Sequence, residues 1–84
     1  MTTTDIRIKG LRLIEKVVTL MQNVEDGCFS DKPELDKELP RLQAFKKWAI
    51  ENDQLQEVKA FMGSKRWGMH RQFAAAEISS IFNN

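Results

Sequence analysis

Apolar residues recur along most of this chain at three- and four-residue intervals, the spacing that places them on one face of an α-helix. The first such segment is predicted to run from about Thr4 to Val24. At 100° per residue, Ile6, Leu11, Leu13, Ile14, Val17, Val18, Leu20, Met21 and Val24 fall on one half of its surface, and Lys9, Arg12, Glu15, Lys16, Thr19, Gln22 and Asn23 on the other. Arg7 on the apolar side and Ile8 on the polar side break the pattern. The apolar face spans about 180°, wider than the stripe of roughly 100° or more that a surface helix needs. It calls for two neighbours, or for one neighbour and a second copy of the chain. Gly10 lies within this face, where a missing side chain permits close approach of another helix.

Asp26-Gly27 reads as a turn. A second helix is predicted to open with Asp31 as its N-cap, Pro33 in the first turn and Glu34 reaching back in a capping box. Pro40 lacks the backbone donor that a helix interior uses and biases Leu39 away from helical geometry, so a break or kink is expected there. The pattern then resumes through Leu42, Phe45, Trp48 and Ala49 to about Asn52. Asp53-Gln54-Leu55-Gln56 reads as another capping box, opening a short helix that buries Leu55, Val58, Phe61 and Met62. Gly63 is placed just past its end and Ser64 as the cap of a last helix, about Lys65 to Phe82, with Trp67, Ala74, Ile78, Ile81 and Phe82 on one face. No segment alternates apolar and polar residues for long enough to make a strand. The expected fold is all-α: a single-domain bundle of about four helices over residues 1–84, one of them broken or kinked at Pro40.

Composition narrows the chemistry. The 84 residues are 42% hydrophobic and 30% charged, with net charge +1, which fits a folded domain and argues against disorder. The longest uninterrupted apolar run, Phe73 to Ala76, is far short of the roughly 20 residues of a membrane span. Met1-Thr2-Thr3-Thr4-Asp5 shows no basic leader or apolar signal stretch, and the single Cys28 cannot form an internal disulfide, so a cytoplasmic protein is expected.

One His and one Cys leave too few ligands for zinc, and the carboxylates between residues 25 and 38 do not follow a calcium-loop register. Gly63-Ser64-Lys65-Arg66-Trp67-Gly68 has the glycine spacing of a phosphate loop, but Met69 and His70 stand where Lys and Ser/Thr belong. Cys28 and His70 could meet in space as a nucleophilic pair, yet a small, half-buried thiol in a turn is the commoner role. Neither a metal, a cofactor nor a catalytic residue is therefore expected.

Charge is uneven. Residues 1–39 carry a balance of −2 and residues 40–84 one of +3. Lys65 and Arg66 would occupy the first turn of the last helix, where cations oppose the helix dipole. With Lys59, Trp67, His70 and Arg71 they form the candidate site for a partner or an anion. Lys9, Arg12 and Lys16 make a basic stripe on the outer side of the first helix, which Lys46, Lys47 and Lys65 would extend if they lay beside it. Replacing Lys65 and Arg66 by Glu is expected to leave stability equal or slightly raised while weakening partner binding.

The leading expectation is a non-catalytic protein-interaction module: an adaptor, inhibitor or regulatory subunit. It would act through the apolar helix face, with self-association through the first helix as one outlet, and through the carboxy-terminal basic and aromatic surface. Nucleic-acid binding through Lys59, Lys65, Arg66 and Arg71 is the alternative, opposed by the modest charge.

Overall fold

A computed structural model describes residues 2–83 and is built of four α-helices: α1 (Thr3–Glu25), α2 (Lys32–Glu51), α3 (Leu55–Ser64) and α4 (Gln72–Asn83). Two 3-10 turns, Phe29–Asp31 and Met69–Arg71, lead into α2 and α4. Among the described residues there is no strand. Residues 1 and 84 of the expected single domain lie outside them.

Helix α1 is the spine. The Thr2 hydroxyl accepts from the Asp5 N–H and the Asp5 carboxylate accepts from the Thr2 N–H, closing a capping box that begins the helix about one residue earlier than the hydrophobic pattern suggests. At its other end Gly27 takes a positive φ of 102°, and the Cys28 N–H donates to the Asn23 carbonyl, a Schellman stop. The nine apolar residues of the expected face are all buried or half-buried, while Ile8 is exposed. Arg7 uses its apolar side as an anchor, donating to the Gln54 side chain at 2.8 Å. Gln22, expected on the polar half, is buried, with its amide N–H held by Asp26.

Helices α2 and α4 cover most of α1's wide face, and α3 touches both α1 and α4. The face is thus accounted for within one chain and no longer calls for a second copy. Gly10 is buried within this face. A Cβ placed there would lie 2.0 Å from the Phe45 ring, far inside any tolerated contact. Phe45, on α2, stacks on Trp48 with centroids 5.7 Å apart and meets Phe82 of α4 edge-on at 6.2 Å. The core also holds Ile14, Val17, Val18, Leu42, Ala49, Val58, Ala74 and Ile78, each fully buried.

Several sequence expectations fail here, each for a physical reason. Of the break or kink expected at Pro40, the break is absent: helix α2 continues through the proline. The helix carbonyl that loses its donor is that of Asp36, and both Asp36 and Pro40 face water, which replaces the bond. Leu35, Glu38 and Leu42 are buried on either side and anchor both halves of the helix to the rest of the fold.

Asp31 does stand at the N-cap of α2, but its side chain makes no cap bond and accepts instead from the Asn23 amide at 3.0 Å. Glu34 reaches across to α1 rather than back along its own helix. Asp53 does not open α3; it adopts a left-handed φ of 57° while the Gln54 N–H donates to the Ala49 carbonyl, so it ends α2.

Gly63 and Ser64 lie inside α3, and Lys65 follows in extended conformation. The last helix begins only at Gln72, so Lys65, Arg66 and Trp67 are not in its first turn. Lys65 caps the carbonyl end of α3, where a cation is favoured by the dipole instead of opposed by it.

Gly10→Ala is expected to remove about 3 kcal/mol or more, the upper range for overpacking, from a total of roughly 4–12 kcal/mol for this length. Adding Phe45→Leu should recover part of that loss, giving a positive coupling in a denaturant double-mutant cycle. Pro40→Ala is expected to raise the unfolding midpoint, by up to about 3 kcal/mol in stability, because it restores an interior helix bond. Loss of stability in that variant would contradict this reading of the proline.

Candidate functional site

Because α3 ends early, residues 65–68 form an extended connection that passes over the outer side of α1. Between them lies an open cleft of about 440 Å³, lined by Arg12, Glu15, Lys16, Thr19 and Leu20 of α1 and by Lys65, Arg66, Trp67, Gly68 and Arg71. Five of these residues are cationic and one is a carboxylate.

Trp67 holds the connection down. It is half-buried and packs against the core, while the Lys65 ammonium sits 5.2 Å from the centre of its ring and 5.7 Å from that of Phe61. The same ammonium pairs with Glu15 at 2.7 Å, fastening the connection to α1. This pair corrects the expected effect of Lys65→Glu: a second carboxylate would face Glu15, and stability would fall.

The remaining cations divide into two groups. Lys16 is occupied: its ammonium lies 2.9 Å from Glu34 and 3.5 Å from Glu38, and the Glu38 side chain, only 4% exposed, also meets Arg41 at 3.2 Å. The hydrogen bond from Lys16 holds the Glu34 carboxyl below its usual range, and that bond raises the Lys16 ammonium in turn. The Glu34 contribution to stability is therefore full above the ordinary carboxylate range and lost as pH falls through the lowered value. Arg12, Arg66 and Arg71 form the second group. Among the described residues they make no ion pair, although each lines the cleft from a different part of the chain.

Of the six residues singled out by sequence, Lys65, Arg66, Trp67 and Arg71 come together, joined by Arg12 and Lys16 of the outer stripe. Lys59 and His70 do not line the cleft. Lys46 and Lys47 border a different one, with Gln43, Ile50 and Glu51. His70 is at the carboxy-terminal end of α1, its Nε2 bonded to the Asp26 carboxylate. Cys28 is exposed, not half-buried, and its thiol makes no hydrogen bond to His70 among the described residues. No group of three or more His, Cys, Asp or Glu among the described residues is arranged to hold a metal, and no helix is long and apolar enough to cross a membrane.

Beside His70, Glu25 of α1 shares a side-chain hydrogen bond with Glu77 of α4. Desolvation, then the Glu77 charge, raises the Glu25 carboxyl above its usual range. Sequence reasoning missed this junction and the part of Glu15 in the cleft, because both pair residues about fifty positions apart. Phe29, Met69 and Phe73 were missed as exposed side chains; they are 73–85% accessible. No protein-family model, no curated protein and no solved structure matches the chain.

A raised carboxyl contributes stability that is full below its unfolded value and lost as pH rises through the folded one. Glu77→Gln is therefore expected to raise the melting temperature at pH 7 and to raise it less at acidic pH, where the raised Glu25 carboxyl is protonated. A gain of equal size at both pH values would contradict the assignment of repulsion to this pair.

Proposed function

We propose that this chain is a non-catalytic interaction domain that docks an acidic segment of a partner protein in the cleft between α1 and the 65–71 connection. One observation carries the reading: Arg12, Arg66 and Arg71 line one cleft, and among the described residues none of them makes an ion pair. A fold selected for stability alone gains nothing from gathering like charges, and locally broken rules tend to mark working surfaces.

Trp67 and Leu20 add apolar area to the cleft. Met69 and Phe73, exposed and within two residues of Arg71 in the chain, are of the types that anchor protein interfaces. The apolar face of α1, the other surface expected to serve a partner, is spent on the core and plays no part.

A protein partner is favoured over nucleic acid by two features of the site. The Lys65 ammonium already covers the Trp67 ring, where an unpaired base would stack. Glu15, on the α1 wall of the cleft, would repel a long polyanion running through it.

The test is an amide-shift titration with a decapeptide of alternating Glu and Asp at low salt. Shifts are expected at Arg12, Leu20 and residues 66–71. Binding should weaken at least about fivefold in the Arg66→Gln/Arg71→Gln double variant, whose melting temperature should be unchanged because neither side chain has a partner to lose. Absence of shifts, or shifts spread over all basic residues alike, would overturn the reading. A single-stranded oligonucleotide that binds the cleft more tightly than the peptide would replace it with nucleic-acid recognition.

A further inference from the structure

We infer that the group seated among Arg12, Arg66 and Arg71 is a phosphoryl group on the partner's segment; the inference rests on the docking reading above and sharpens its chemistry. Charge supply is the first ground. A carboxylate carries one negative charge and is satisfied by a single guanidinium fork. Three guanidinium groups without counter-charges exceed that need, whereas a phosphoryl monoester near neutral pH carries between one and two charges on three strongly accepting oxygens. The two lysines of the cleft are already neutralised, Lys65 by Glu15 and Lys16 by Glu34 and Glu38, so the arginines alone set the free charge.

Backbone donors are the second ground. Residues 65–68 are neither helix nor strand, and among the described residues the N–H groups of Arg66 and Trp67 donate to no other group. An extended connection with two unoccupied N–H groups, bordering the same cleft as the arginines, offers what an oxyanion with several acceptor oxygens takes up.

Size is the third. About 440 Å³ leaves room for one phosphorylated side chain. Glu15, at 2.7 Å from Lys65, sits on the α1 wall of the cleft and disfavours a continuous row of phosphates. The arrangement suits a single dianion carried on an otherwise uncharged or mildly acidic chain.

Three versions of one decapeptide decide it, identical except for a central Ser, Glu or phosphoserine, each titrated into the full chain by fluorescence anisotropy. The phosphoserine version is expected to bind at least about tenfold more tightly than the Glu version, and the Ser version to be weakest. Arg12→Gln, Arg66→Gln and Arg71→Gln should each shrink the phosphoserine-over-Glu preference to less than about threefold, while Lys59→Gln, outside the cleft, leaves it intact. Melting curves of each variant guard against loss of fold, and the Lys59 variant against a general charge effect.

Equal binding of the phosphoserine and Glu versions would overturn the inference and leave the acidic-segment reading standing. Failure of all three peptides and of the Glu/Asp decapeptide would overturn both. A short oligoribonucleotide binding more tightly than the phosphoserine peptide would also overturn it, in favour of a nucleic-acid phosphate.

Discussion

The Phe45 ring resting directly on the backbone of Gly10 is the contact on which the other parts of this structure depend. A side chain at position 10 would hold α2 away from α1 by the thickness of a methyl group, and the ring would lose its seat. With the ring seated, Trp48 stacks on one side and Phe82 meets it edge-on, so one aromatic cluster ties the central helix to both α2 and α4. An 84-residue chain has room for one core, and Phe45 and Phe82 are both part of it.

Closing α2 and α4 on the apolar half of α1 leaves its outer, basic half outside the core. That half is where the 65–68 connection is fastened, by the Lys65–Glu15 pair and by Trp67 packed against the core. The cleft is thus a product of the fold: α1 supplies one wall because its other half is consumed in packing, and the connection supplies the second because α3 stops before α4 starts. Flanking ion pairs sort the cations. Glu34 and Glu38 engage Lys16, Glu15 engages Lys65, and three arginines remain without counter-charges.

Much of the fold was legible in the residues. The apolar spacing of α1 located its buried face nearly residue by residue, and the role of Gly10 followed from its place in that face. Local punctuation was less dependable. Pro40 reads as a break because it lacks a donor, but the carbonyl it deprives is on the solvent side and the packed leucines on either side outweigh the loss. Gly63-Ser64 reads as a stop and a start, yet α3 runs through both and the true interruption is at Lys65–Gly68.

That shift reversed the meaning of Lys65 and Arg66, from cations opposing a helix dipole to residues of a connection. Four of the six site residues chosen from sequence do share the cleft. Lys59 and His70 do not, and Arg12 belonged to it without being chosen. Long-range pairs such as Lys65–Glu15, Arg7–Gln54 and His70–Asp26 decide these placements, and no local pattern encodes them.

The seat of Phe45 on Gly10 can be read most directly by nuclear Overhauser spectroscopy on the isotope-labelled chain. The account predicts strong cross-peaks between the Phe45 ring protons and both Gly10 α-protons, with the latter shifted upfield by the ring above them. Gly10 α-protons at ordinary helical shifts, with no cross-peak to Phe45, would contradict it.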